Sequence, residues 1–241
     1  MIFRDVDGLI RVLDHDDDGL RPSESQLRRI NAGILQDLRP IRPLAPSRIL
    51  LLWFGVVFLA VVAVGALLLG INGWGVLSLL QRIAIFVMLA VSAVLLSVSI
   101  VRQMVPGSRH IIAPVVVIAA IPVGLMMVIE ALFRSQQEPT FFSTGVICMK
   151  NGLRCAIPAG FLLSLVIRRG AVLYPKLAGA VAGGLAGLTG LSVLEVNCPN
   201  LNAFHIVVWH VGVVVIGSLG GALLGGAVES IEKWRKRSRL F

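Results

Sequence analysis

The chain has 241 residues, of which 56% are hydrophobic, and a mean hydropathy of +0.88. A composition this apolar excludes an ordinary soluble domain and points to a polytopic membrane protein. The net charge of +9 would suit nucleic acid in a soluble protein, but in a membrane protein the basic excess mostly sets orientation, so no direct nucleic-acid contact is expected.

Residues 1–47 form a polar head, with eight Arg up to Arg48 against eight acidic residues. No signal peptide is read in it. Phe3, Val6, Leu9, Ile10 and Leu13 recur at helical spacing, opposite the acidic run Asp14, Asp16, Asp17 and Asp18. Gly19 and Pro22 break that pattern. A second helix is predicted from Ser23 to Leu38, with Leu27, Ile30, Ile34, Leu35 and Leu38 as its apolar stripe and Ser23 with Gln26 as a capping box. Pro40, Pro43 and Pro46 end it as a stiff linker. A segment this short is too small to bury a core unaided. Its stripes must lie on a membrane surface or in a partner's groove. The acidic face of the first helix disfavours anionic lipid and favours the groove.

Six apolar stretches of spanning length follow, at 48–70, 82–102, 111–133, 150–168, 176–196 and 205–228. The fold class is therefore all-α, a six-helix transmembrane bundle with a short N-terminal helical segment. Lys and Arg fix its orientation. With the N-terminus inside, the inner side collects the eight Arg up to Arg48, then Arg102, Arg109, Arg168, Arg169, Lys176, and Lys233, Arg235, Lys236, Arg237 and Arg239. Only Arg82, Arg134, Lys150 and Arg154 fall outside. Both termini are thus expected in the cytoplasm of a bacterial inner-membrane protein. Trp53 and Trp234 would lie near the inner interface, Trp74 and Trp209 near the outer one.

All three cysteines then fall at or beside outer loops. The fourth helix could start earlier, capped by Ser143 or Thr144, which would put Cys148 and Cys155 seven apart on one helical face. The other outer loop reads Glu195-Val-Asn-Cys198-Pro-Asn-Leu-Asn. Cys148 and Cys198 have three readings: a pair that is reversibly oxidised or captures an oxidant or soft metal, a structural disulfide, or unrelated small apolar residues. His205 and His210 follow closely, so Cys148, Cys198, His205 and His210 are an alternative metal set. Against it, residues five apart share one α-helical face poorly, and His210 is expected to hydrogen-bond within the bundle. Glu130 and Arg134 are expected to pair with each other, and Glu195 to tune the nearby thiol. Gly179, Gly183 and Gly187 in the fifth span, with Gly217, Gly221 and Gly225 in the sixth, predict close packing of those two helices.

No phosphate loop, nucleophile elbow or zincin motif occurs, so neither catalysis nor a cofactor is expected. The near absence of ionisable residues at the membrane centre argues against ion transport. A small-solute or metal transporter and a membrane thiol redox protein remain as alternatives. The redox reading lacks the usual Cys-x-x-Cys motif.

The run Cys148-Met-Lys-Asn-Gly-Leu-Arg-Cys155-Ala-Ile-Pro158, then Ile167-Arg168-Arg169-Gly170-Ala171, then Cys198-Pro199-Asn200 with Phe204 and Trp209-His210, resembles the negative regulator of sigma F (NrsF) family. These are six-span inner-membrane anti-sigma factors. The resemblance implies that the head sequesters an ECF-type sigma factor and that two outward cysteines sense oxidative or metal stress. Carried over, the second cysteine is Cys198 and the first is Cys148, by its distance from Pro158 and Arg168. Cys155 stands as a further candidate thiol. The implied organisation is 1–47 sigma-binding, with contacts through Phe3, Val6, Leu9, Ile10, Leu13, Leu27, Ile30 and Ile34. A transmembrane sensor follows at 48–230 and a basic tail at 231–241. The implied partners are the sigma factor and membrane lipid.

Overall fold

The computed structural model describes residues 23–37, 44–105, 107–108, 112–136 and 139–238. Phe3, Val6, Leu9, Ile10 and Leu13 lie outside the described residues. The chain divides into two units, Met1–Pro43 and Leu44–Phe241.

In the first unit, α1 runs Glu24–Asp37. Its start is the capping box read from the sequence: Gln26 N donates to Ser23 Oγ at 3.3 Å, and Ser23 N donates to Gln26 Oε1 at 2.9 Å. These bonds satisfy two backbone donors that a helix start otherwise leaves orphaned. Leu27 and Ile30 on the apolar stripe are 50% and 54% exposed.

The second unit holds six helical spans long and apolar enough to cross a membrane. They are α2 (Ser47–Leu69), α3 (Leu79–Met104), α4 (Pro114–Leu132), α5 (Phe141–Ile167), α6 (Pro175–Asn197) and a composite sixth. The sixth is built from α7 (Ala203–His205), a π-helical segment (Ile206–Val211) and α8 (Gly212–Arg237). No strand occurs among the described residues, and the protein is an all-helical membrane protein.

Each start has a local cause. Ser78 and Gln81 form a reciprocal capping box on α3. Pro114 and Pro175 open α4 and α6, where the missing N–H costs nothing. The fourth span begins nine residues before the predicted 150, at Phe141. Ser143 and Thr144 therefore do not cap it. They sit in its first turn and their hydroxyls donate back to Thr140 O.

The fifth span is the axis of the bundle. Every residue of α6 from Gly184 to Glu195 is buried, and α6 packs against α2, α3, α5 and α8. The peripheral helices instead turn apolar side chains outward, such as Leu52 and Leu59 on α2, Val87 and Val94 on α3, and Leu219 and Leu223 on α8. That pattern suits lipid as the surrounding solvent. The α6–α8 seam is made of glycines. A Cβ on Gly183 would run into the Gly217 carbonyl, and one on Gly179 into the Gly221 carbonyl. Two backbones in such close contact gain packing in a medium that offers no hydrophobic drive between helices.

Candidate functional site

At one end of the bundle the loop segments 70–78, 133–136 and 198–202 converge. The last carbonyls of α6, which a helix leaves unsatisfied, are taken by the first of these loops. Trp74 N donates to Val196 O and Gly73 N to Asn197 O, both at 3.1 Å. Asn197 Nδ2 returns bonds to Leu69 O and Gly70 O. Gly73 allows the approach, since a Cβ there would stand 2.5 Å from Cys198 O. From the other side, Ala203 N donates to Arg134 O, and Asn202 exchanges side-chain bonds with the Gln136 backbone while its Oδ1 caps α7 at Phe204 N. The turn carrying Cys198 is thus clamped between two loops.

This clamp holds Cys198 Sγ 3.5 Å from Cys148 Sγ, on the third turn of α5. Both thiols are free. Cys155, one face-repeat further along α5, is not part of this pair: its Sγ lies against Gly65 of α2, 3.2 Å from where a Cβ would stand. His205 Nε2 is 3.9 Å from Cys198 Sγ. His210 Nδ1 is 2.9 Å from Glu195 Oε1, and both side chains are almost wholly buried. One donor atom from each of Cys148, Cys198, His205 and His210 lies within 4.8 Å of the other three. The two imidazoles meet edge to face at 5.4 Å.

The π-helical segment explains how histidines five apart come together. On an α-helix, at about 100° per residue, they would sit about 140° apart. A π-helix closes its turns i→i+5, which brings such residues near one face. The sequence periodicity assumed an α-helix and so missed this arrangement. His210 does hydrogen-bond within the bundle, as expected, and its partner is Glu195. Glu130 accepts from Ser135 Oγ at 3.4 Å, and no ion pair with Arg134 occurs among the described residues.

Aromatic rings pack against one flank of the cluster. Phe141 stacks on Phe204 at 4.9 Å and stands 5.6 Å from the Trp209 ring and 6.3 Å from His205. The Trp209 ring fills the space that a side chain on Gly145 would need. The hydrogen bond that Cys198 donates to Cys148, and then burial, push the Cys198 thiol above its ordinary pKa, while His205 and His210 pull it down. Two sulfurs at hydrogen-bond distance can be joined by a two-electron oxidation, and the four donors together match the preference of soft and borderline cations.

The family model described as NrsF, negative regulator of sigma F, matches residues 35–228. The matched stretch holds the cluster and begins inside α1, so most of the head lies ahead of it. No curated protein and no solved structure matches the chain.

Proposed function

The chain belongs to the NrsF family of negative regulators of sigma factors, and from that premise we propose that it is a membrane anti-sigma factor whose head holds an ECF-type sigma factor and whose Cys148–Cys198 pair controls release. The observation that carries the sensing half is the 3.5 Å separation of two free thiols, one on α5 and one in the turn that follows α6. In the oxidative branch, two thiols lose two electrons and two protons to a hydroperoxide-class oxidant. The oxidant leaves as water and alcohol, and one S–S bond forms. Bond formation draws the sulfurs from 3.5 Å to about 2.0 Å. That displaces α5 against the end of α6, and the glycine seam passes the shift to α8.

The sequestering half is supported by α1. A capped helix with Leu27 and Ile30 half-exposed is a ready ligand for an apolar groove. The orientation rests on the Lys and Arg distribution, which supports both termini in the cytoplasm and the thiols outside. A modest coupling suffices, because a tenfold change in sigma affinity needs only about 1.4 kcal/mol.

The test is co-purification of the full chain, in detergent, with each ECF-type sigma factor of its own cell, before and after peroxide. Capture by the reduced chain, with release on oxidation in the wild type but not in Cys198→Ser, supports the reading. Absence of capture by the reduced chain refutes it.

A further inference from the structure

Resting on the regulatory reading above, we propose that Cys148, Cys198, His205 and His210 form a four-ligand site for a thiophilic d10 cation such as Zn(II), Cd(II) or Cu(I), with Glu195 as the positioning residue for His210. The donor set, two thiolates and two imidazoles, is the tetrahedral S2N2 set that such cations take.

The spacing fits the chemistry. With metal–sulfur bonds of about 2.3 Å, a tetrahedral site separates its two sulfurs by about 3.8 Å, and sulfur from nitrogen by about 3.6 Å. Cys148 Sγ and Cys198 Sγ are 3.5 Å apart, and Cys198 Sγ is 3.9 Å from His205 Nε2. All four donors converge within 4.8 Å, so a cation could enter with side-chain adjustment alone.

His210 provides the independent observation. Its Nδ1 faces the Glu195 carboxylate at 2.9 Å. A carboxylate only accepts, so Nδ1 carries a proton, and Nε2 is the nitrogen whose lone pair becomes available to a cation when the ring gives up its second proton. That Nε2 is buried, is turned toward the Cys198 sulfur and meets no partner in good hydrogen-bond geometry among the described residues. A buried nitrogen without a partner is costly to keep, and a cation at the cluster would satisfy it. The carboxylate–imidazole–metal order is the arrangement that fixes the tautomer and raises ligand basicity. The π-helical segment that delivers His210 is a costly local geometry, of the kind found at functional sites. The Phe141, Phe204 and Trp209 rings would limit water access to the bound ion.

Cation binding and disulfide formation then compete for the same two sulfurs. Oxidation of the metal-bound thiolates by a hydroperoxide passes two electrons to the oxidant, which takes up two protons and leaves as water and alcohol. The S–S bond forms and the cation is released.

The test is titration of the full-length reduced protein in detergent with Cd(II) and Zn(II), using a competing chelator and metal analysis. One ion per chain is expected. Cys148→Ser, Cys198→Ser, His205→Ala and His210→Ala should each lower affinity at least tenfold, Cys155→Ser should not, and Glu195→Gln should lower it about 10–100-fold. Retention of the Cys148–Cys198 disulfide on oxidation of the histidine variants checks that they still fold. Wild-type affinity in both histidine variants, or binding that survives the Cys148→Ser/Cys198→Ser pair, overturns the site. Sigma capture is scored on the same preparations. Capture without metal binding overturns this inference alone, and metal binding without capture overturns the regulatory reading alone.

Discussion

Glu195 and His210 form a buried pair across 2.9 Å, one from the end of α6 and the other from the π-helical segment that leads into α8. Both side chains are almost wholly buried, so each makes the other's burial tolerable. Glu195→Ala should cost about 1–3 kcal/mol, the penalty of leaving a buried donor unmade. His210→Ala should cost more, about 3–5 kcal/mol, because it strands a carboxylate. The double variant should lose less than the sum. Thermal unfolding of the four proteins in one detergent checks this; additive losses would mean that the pair is not coupled.

Only one of the three possible cysteine pairings is within reach. Cys148 and Cys198 need a movement of about 1.5 Å to reach disulfide distance, whereas Cys155 is packed against α2. Mild oxidation of the full chain should give an intrachain disulfide in the wild type and in Cys155→Ser. Cys148→Ser and Cys198→Ser should give none. Peptide mapping of alkylated, unreduced protein reads the outcome directly, and a Cys155–Cys198 crosslink would contradict it.

The raised pKa of Cys198 has a sign that can be tested. Its neutral thiol is favoured by the Cys148 hydrogen bond and by burial, against a smaller opposing pull from the two histidines. Because the thiolate is the nucleophile, alkylation of Cys198 should be slow at neutral pH and rise only at a higher pH than for an exposed cysteine. The folded protein holds this proton more tightly than the unfolded chain. The resulting stability is fully present below the unfolded pKa and is lost as pH rises through the folded one. Rates of Cys198 alkylation against pH, in Cys155→Ser, give the profile. A midpoint below that of a model thiol would contradict it.

How far the sequence carried depended on the range of the interaction. Twenty apolar residues in a row can be little but a span, so α2, α3 and α4 were legible to within three residues at each end. The start of α5 was legible only through its capping residues, Ser143 or Thr144, which fall two to three residues inside the observed start at Phe141. Phe141–Asn151 mixes Ser143, Thr144, Lys150 and Asn151 with apolar residues, and hydropathy alone reads it as loop. The glycine seam was legible because a four-residue repeat is local. The His205–His210 convergence was not, since it needs a π-helical turn that leaves no periodic signature. Glu195 was noticed beside the thiol, but its partnership with His210 joins two different helices, and nothing local to either residue announces it.

The α6–α8 seam predicts a sharp contrast between two glycines. At Gly183 an added methyl would meet the Gly217 carbonyl and the Gly221 Cα. Both are backbone and cannot swing aside, so the helices must separate. Gly183→Ala should destabilise the bundle by about 1–3 kcal/mol. At Gly220 nothing lies within 4 Å of the new methyl. Gly220→Ala should be neutral or stabilising by up to about 1 kcal/mol through helix propensity. Unfolding in detergent separates the two, and equal effects would mean that the seam is not a close backbone contact.

Leu27 and Ile30 are half-exposed on a helix whose start is fixed by its own capping box, so replacing them should change what the helix binds and not how it starts. If they dock in a sigma-factor groove, each buried side chain contributes about 1.5–3 kcal/mol, and the Leu27→Asp/Ile30→Asp variant should weaken capture at least a hundredfold. Unfolding of the transmembrane unit should be unchanged. Ser23→Ala should have a smaller effect on capture, because it removes one cap worth about 1 kcal/mol and no contact surface. Binding of the purified full-length variants to the cognate sigma factor, measured beside their melting curves, decides the point. Undiminished capture by the double aspartate variant would move the contact off this helix.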